Sequence, residues 1–443
     1  MLDIRYIRQN PDMIRQAAAK KRFDFNVDEL IALDDRRRQL QQELDGLRHE
    51  QKKAGELIGQ LRGKGRKKGG VPADAADAEA RLSQTLKRME EVKARCKALE
   101  EEAQKVQRDF DALMLRVPQV PDPDAPVGKD ETENVEVKRW GEVRKFDFEP
   151  KDHATLGAAL GMIDIDRGVK LAGSRSYFLL GAGTLMHQAV LRLAFDLMIE
   201  RGFVPMTVPV IVREPAMTGT GYFPLGREQA YEMANEDPGL FLVGTAEVSL
   251  TSYHMDEVLD VQDLPRKYVG MSSCFRREAG TYGKDTAGIY RIHQFDKVEQ
   301  VVICRGDVDE SKRWHQAILE NAEAVVQKLE LPYRVVAVCT GDLGIGQSFK
   351  YDIETWMPSR NAYGETHSAS RFYDFQARRL NMRYRDADGK LQFCHTLNNT
   401  VIASPRILIP IMELYQNADG SITVPQALRP YMGGMERIGK VTG

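Results

Sequence analysis

The sequence predicts an α+β chain in two parts, an N-terminal antiparallel α-helical coiled-coil arm followed by a larger body of alternating strands and helices. Three observations predict it. Two heptad-patterned stretches of similar length flank a short glycine-rich link, a proline-rich segment follows them, and mixed helical and period-2 patterns then continue to the end of the chain. The charge distribution changes at the same place: residues 1–116 hold 26 Lys and Arg against 21 Asp and Glu, whereas the rest hold 37 against 44. The formal charge of −2 therefore averages a basic part with an acidic one, and argues only against a generic polybasic binder of nucleic acid.

In the arm, Leu33, Leu40, Leu47, Ala54 and Leu61 fall seven apart, with Leu30, Leu44 and Ile58 at the partner positions, interrupted by Arg37 and Gln51. A second register runs through Leu82, Met89, Cys96, Ala103 and Phe110, interleaved with Thr85, Val92, Leu99, Val106 and Leu113. A seam repeated every ~3.5 residues keeps one stripe against a partner helix. The link, residues 63–72, carries four glycines and a proline, which end the first helix and return the second antiparallel. About 32 residues per helix predict a hairpin of roughly 50 Å. Arg62, Lys64, Arg66, Lys67 and Lys68 cluster at its tip, with no acidic residue between Glu56 and Asp74. Such a tip is either a solvated loop or, at the end of a long arm, a contact for a polyanion.

Residues 117–126 hold four prolines and read as an extended linker. Beyond it, Thr184 reads as the N-cap of a helix ending at Gly202, and residues 203–212 as a strand whose Pro205 and Pro209 confine it to an edge or an interface. Residues 267–304 read as a long hairpin. Alternation places Arg276 and Glu278 on one face, and Arg291, His293, Phe295, Lys297 and Glu299 on one face of the return strand. That set suits a nucleoside triphosphate, with guanidinium for phosphate and ring for base, and equally describes a solvent face laced with ion pairs. In residues 395–406, small polar residues end a strand, and Ser404 and Pro405 then open a helix with Arg406 in its first turn. An arginine there opposes the helix dipole, so an anion is a better reason for it than capping.

These three segments resemble motifs 1, 2 and 3 of the class II aminoacyl-tRNA synthetases, and the whole chain resembles the bacterial-type seryl-tRNA synthetases. The likeness extends to Thr245-Ala246-Glu247, Phe275-Arg276-Arg277-Glu278-Ala279-Gly280, His293-Gln294-Phe295-Asp296-Lys297-Val298-Glu299, Glu365-Thr366-His367-Ser368, Asp374-Phe375-Gln376-Ala377-Arg378-Arg379 and Leu428-Arg429-Pro430-Tyr431-Met432. It implies a tRNA-binding domain over 1–113 with its coiled-coil hairpin at about 28–113, a linker over 114–130, and a catalytic domain over 131–443. It further implies a seven-stranded antiparallel sheet flanked by helices, a homodimer joined through the first motif, ATP with Mg²⁺, and transfer of L-serine to tRNA(Ser), with tRNA(Sec) left open as a second acceptor.

By the same resemblance Thr245, Ala246, Glu247, Arg276, Glu299, Asn398 and Thr400 would bind serine. Arg276, Arg277, Glu278, Ile292, Phe295, Glu365, Thr366, His367, Ser368 and Arg406 would bind ATP, Glu365 and Ser368 would ligate Mg²⁺, and the five basic tip residues would meet tRNA. Arg277, Asn399-Thr400 and Pro405 depart from the commoner residues at their positions. A carrier-protein aminoacylating relative shares the body but lacks the arm, and residues 28–113 speak against it. Five singly scattered cysteines give neither a disulfide scaffold nor a zinc site, and fit a reducing cytoplasm. Asp3, Arg5 and Arg8 exclude a signal-peptide apolar core within the first ten residues, and no apolar run approaches the ~20 residues of a membrane span.

Overall fold

The computed structural model of the chain describes residues 2–64, 75–234, 239–280 and 288–440. It divides into two compact units, one made of Met1–Ile4, Gln16–Asp24 and Pro118–Gly443, the other of Arg5–Arg15 and Phe25–Val117.

The second unit is dominated by α1 (Val27–Lys64) and α2 (Ala75–Met114). The Asn26 side chain accepts from the amides of Asp28 and Glu29 and so caps α1. The ion pairs Arg36–Glu102, Arg95–Glu43 and Arg88–Glu50 descend along α2 as they climb α1, which makes the pair antiparallel. Leu40, Leu44, Leu99 and Val106 form the buried seam with Leu33, Leu47 and Ala103 beside them, as the heptads predict. The break at Arg37 is compensated: its guanidinium lies 4.4 Å from the Phe110 ring centroid and pairs with fully buried Asp34, which also receives Arg8 and Arg38. Both helices exceed the expected 32 residues, at 38 and 40. Of the basic tip, Arg66, Lys67 and Lys68 lie outside the described residues, and Arg62 and Lys64 are described only as backbone of α1.

The other unit is built on an eight-stranded sheet of β1 (Val135–Trp140), β2 (Val204–Met206), β3 (Arg266–Phe275), β4 (Gln294–Cys304), β5 (Tyr333–Ala337), β6 (Phe349–Met357), β7 (Ala362–Tyr373) and β8 (His395–Ser404). Their order is β1-β5-β6-β7-β8-β4-β3-β2, antiparallel except for the final β3–β2 pair. The seven antiparallel strands are thus extended by one parallel edge strand. That strand is short because prolines remove ladder donors. The stretch expected as one strand over 203–212 splits at Pro209 into β2 and Ile211–Arg213, which joins a separate three-stranded sheet. The expected hairpin is β3 paired with β4.

One sheet face is apolar. Val298, Val302, Leu397, Val401, Ile353 and Ala369 pack beneath α3 (Ala182–Glu200) and α4 (Val308–Lys328), which contribute Met186, Val190, Ala194, Ile318, Ala322 and Val325 among others. Thr184 is not the N-cap of α3: the helix starts after Gly181, and the Thr184 hydroxyl donates to the Leu179 carbonyl. Gly202, with φ of +77°, closes it as expected.

The proline-rich segment is held against this unit. Gln119 N donates to the Ile345 carbonyl and Asp122 N to that of Ser348, at 2.9 and 2.8 Å. The buried Asp122 carboxylate receives Arg371 at 2.8 Å and the Tyr373 hydroxyl. The buried Lys21 ammonium donates to the carbonyls of Gly344, Ile345 and Gln347, at 3.0, 3.0 and 2.6 Å. Burial pulls its pKa well below the ordinary lysine value.

Candidate active site

The opposite face of the sheet carries polar side chains because strands alternate and bulges re-aim them. On β4, Phe295, Lys297 and Glu299 point to this face while Val298 and Val302 point to the core. Glu299 stands opposite Thr400 on β8, and Ser370 on β7 opposite Asn398. A register shift between Ile353 and Glu354 leaves Thr366 as an extra residue on β7, so that Glu365, Thr366 and Ser368 all line the same cavity. His367 faces the other way; burial lowers its pKa to about 3, so it is neutral.

The cavity holds about 180 Å³ and adjoins a more open one of about 440 Å³, the two sharing Tyr222, Arg276, Glu278, Glu365 and Arg406. At the enclosed end, Lys297 Nζ lies 2.5 Å from Glu299 Oε2, and the Thr400 hydroxyl donates to the same oxygen at 3.3 Å. Glu247 enters from the start of the helix Glu247–Ser252, held by Gln376 Nε2 at 2.8 Å. Burial, reinforced by the charge of Glu299, raises the Glu247 pKa to about 7. Asn398 Nδ2 is buried without an acceptor among the described residues. A donor, two acids and a hydroxyl in one apolar-backed pocket suit a small zwitterion bearing an ammonium and a hydroxyl.

The open end is cationic. Arg276 follows β3, with Nε donating to the Gly244 carbonyl at 3.3 Å and its guanidinium 5.2 Å from the Phe295 centroid. Glu278 reaches the cleft through a left-handed turn with φ of +51°, and not by strand alternation, and pairs with Arg291 at 2.9 Å. Arg406 lies in the turn between β8 and α5 (Leu408–Leu414); it precedes the helix and is not in its first turn. There Arg406 Nε donates to the Tyr290 carbonyl at 3.2 Å and Nη1 to that of Glu365 at 3.1 Å. Partial desolvation pushes the Glu365 carboxyl up, but Arg406, Lys350, Arg276 and Lys297 together hold it below its ordinary range.

The structure thus brings together Glu247, Arg276, Glu278, Ile292, Phe295, Glu299, Glu365, Thr366, Ser368, Asn398, Thr400 and Arg406. Four of the expected residues do not line the cavity. Thr245 is buried and accepts from the Glu247 amide, Ala246 packs in a secondary apolar cluster, Arg277 is exposed, and His367 lies on the core face. Lys297 lines it as strand alternation predicts, and Tyr222, Tyr290, Gln347 and Ser370 also line it, although no sequence pattern gives those four a role there. The signal for Lys297 lies in the alternation of β4. Tyr222 and Gln347 come from loops far away in sequence, which no local pattern marks.

Asn399, one of the departures from the commoner pattern, has its own work on the core face. Its Nδ2 donates to the Ser368 carbonyl at 2.8 Å and its Oδ1 accepts from Gln300, which in turn accepts from Asn321. The amides are satisfied and fix Ser368 against β8.

Comparison with known proteins gives two family models and many relatives. Residues 231–415 match the tRNA synthetase class II core domain (G, H, P, S and T), and residues 1–121 the seryl-tRNA synthetase N-terminal domain. The chain is 43% identical over 440 residues to a serine--tRNA ligase of Deinococcus radiodurans, covering 99% of both chains. It is also 43% identical to one of Symbiobacterium thermophilum, covering 97% of this chain and 98% of the relative. Among solved structures it is similar to a seryl-tRNA synthetase of Pyrococcus horikoshii complexed with ATP, with a TM-score of 0.86, 40% identity and full coverage of both chains. A cytoplasmic serine-tRNA ligase of Naegleria fowleri in complex with AMP gives 0.84 at 30% identity, covering 100% of this chain and 99% of the other.

Proposed function

Since the chain belongs to the seryl-tRNA synthetase family, we propose that this cleft joins L-serine to ATP and passes the seryl group to the terminal adenosine of tRNA(Ser). The observation that carries this reading is the polarity of one continuous cleft: an acid pair with a hydroxyl at the closed end, and guanidinium groups with an aromatic ring at the open end. Serine's ammonium sits between Glu247 and Glu299, and its hydroxyl meets Asn398 and Thr400. Arg276 holds the carboxylate and the α-phosphate, Phe295 stacks on adenine, Glu278 accepts from its amino group, and Arg406 takes the γ-phosphate. The serine carboxylate oxygen then forms a bond to the α-phosphorus as the bond to the β-phosphate bridge breaks and pyrophosphate leaves. In the second step the tRNA hydroxyl displaces AMP from the seryl carbonyl. Positioning and charge stabilisation carry both steps, with no covalent enzyme intermediate.

Glu365 and Ser368 offer oxygen donors on one side of the cleft, and the Glu365 carboxyl is kept ionised by its cationic neighbours. This fits Mg²⁺, which takes few protein ligands and completes its shell with phosphate and water. When bound, the ion would neutralise phosphate charge. No group of three or more His, Cys, Asp or Glu residues suited to a metal occurs among the described residues. We further read the enzyme as a homodimer acting in the cytoplasm. Among the described residues no helix is long and apolar enough to cross a membrane.

Serine-dependent ATP–pyrophosphate exchange, followed by charging of tRNA(Ser), tests the reading. No exchange with serine refutes it, and exchange without charging favours a carrier-protein acceptor. Changing Lys64, Arg66, Lys67 and Lys68 together to glutamine should leave exchange intact and weaken charging about tenfold or more at physiological salt, since phosphate contacts dominate such binding. Normal charging by that variant removes the tip from the tRNA interface.

The raised pKa of Glu247 sets a pH dependence. Serine's ammonium favours the ionised carboxylate, so affinity is full above pH 7 and falls below it as Glu247 protonates. From pH 8 to pH 6 the Kd for serine should rise about tenfold, with proton release on binding near pH 7. Glu247→Gln should flatten this profile in titration calorimetry. A profile unchanged by the substitution assigns the proton elsewhere.

A further inference from the structure

Tyr290 lines the cleft but touches neither serine nor ATP in the reading above. Two arginines lie over its ring: the Arg406 guanidinium is 4.5 Å from the ring centroid and that of Arg360 is 4.3 Å from it. The same residue's carbonyl accepts from Arg406 Nε at 3.2 Å. Tyr290 therefore holds Arg406 twice, once by its backbone and once by its ring. Position 364 makes room for that ring. A Cβ added at Gly364 would meet Tyr290 Cε2 at 3.3 Å and the Met357 sulfur and methyl at 3.1 Å.

The backbone under Tyr290 is itself fixed from the core side. Ile289 N donates to His153 Nε2 at 3.3 Å, and His153 Nδ1 meets the buried Glu413 carboxylate at 2.8 Å. Since Nε2 accepts, Nδ1 carries the proton and donates to Glu413. Glu413 also receives the amide and hydroxyl of Ser359, beside Arg360, at 2.9 and 2.7 Å. One buried carboxylate thus organises both the segment that presents the ring and the segment that presents its second arginine.

We propose that Tyr290 is a positioning residue for ATP: its ring, shared with Arg360 and admitted by Gly364, sets the direction of the Arg406 guanidinium towards the terminal phosphates. An arginine with a free side chain loses conformational freedom on binding phosphate. Stacking on a ring removes that freedom beforehand; with Nε and Nη1 of Arg406 already held by carbonyls, Nη2 is the nitrogen it would offer to the ligand. The inference rests on the reading of Arg406 as the γ-phosphate contact.

The test compares ATP with AMP, which lacks the phosphates Arg406 would touch. In Tyr290→Leu the Kd for ATP should rise about tenfold while that for AMP stays within twofold. The conservative Tyr290→Phe, which keeps the ring, should restore the ATP-to-AMP ratio. Gly364→Val, which crowds the ring without removing it, should shift the ratio in the same direction as Tyr290→Leu. Equal loss of ATP and AMP affinity in both Tyr290→Leu and Gly364→Val makes the ring merely structural and overturns the proposal, as does an unchanged ratio in both. Arg406→Ala separates the two claims. If it shifts the ratio and the ring variants do not, only the role of Tyr290 fails. If it leaves the ratio unchanged, the phosphate reading of Arg406 fails and takes the proposal with it.

Discussion

Arg276→Ala should remove ATP–pyrophosphate exchange, lowering kcat/KM by at least about 10³-fold, while leaving the thermal midpoint within a few degrees of the parent. The size follows from preorganisation. Arg276 is tied to the Gly244 carbonyl and stacked over Phe295, so its fork is aimed into the cleft before any ligand arrives. Charge that develops at the α-phosphate meets a donor that need not reorganise, and few other groups lie at the junction of the two cavities to replace it. Arg276→Lys should recover little, because an ammonium cannot bridge carboxylate and phosphate as a planar fork does. Exchange within tenfold of the parent in Arg276→Ala would place the reacting phosphate elsewhere.

Glu299→Ala should both abolish serine activation and destabilise the fold. Lys297 and Glu299 have side chains only 6% and 2% exposed, 2.5 Å apart. Removing one partner leaves an ammonium in a site with little water, a loss of about 3–5 kcal/mol measurable by urea unfolding. The paired substitution Lys297→Met with Glu299→Leu should recover much of that stability, because apolar residues of similar volume replace a buried pair with little penalty. It should not recover exchange. A double variant that activates serine normally refutes the placement of the amino acid at this end. A single variant of parental stability refutes the claim that the pair is dry.

Much of the site is legible in the sequence because strand alternation carries it. Phe295, Lys297 and Glu299 stand two apart on one strand, and Asn398 and Thr400 two apart on its neighbour, so a period of two is enough to put each set on one face. Alternation misleads wherever the backbone leaves the strand. Glu278 arrives by a left-handed residue, Thr366 by a bulge, and Arg406 by a turn preceding its helix. Pro205 and Pro209 mark an edge, as expected, but nothing in their spacing says that the chain passes from one sheet to another between them. The arm is legible because a heptad needs no long-range information, and even its fault at Arg37 is resolved locally by Asp34 and Phe110. Tyr222 and Gln347 illustrate the opposite case. Loops far apart in sequence bring them to the cleft, and only tertiary structure reports that.

The carbonyl of Ile345 receives both the Lys21 ammonium and the amide of Gln119. The chain therefore leaves its body just after one donor and returns just before the other, so that everything between is a detour from a closed ring. A fragment beginning at residue 118 discards the first fastening: Ile345 still accepts from Gln119 N and Gly344 from Gln347 N, but the carbonyl of Gln347, in the cleft wall, loses the Lys21 ammonium at 2.6 Å. Excising residues 25–117 keeps both fastenings but strips residues 5–15 of their partners, Asp34 for Arg8 and Asp28 for Arg15.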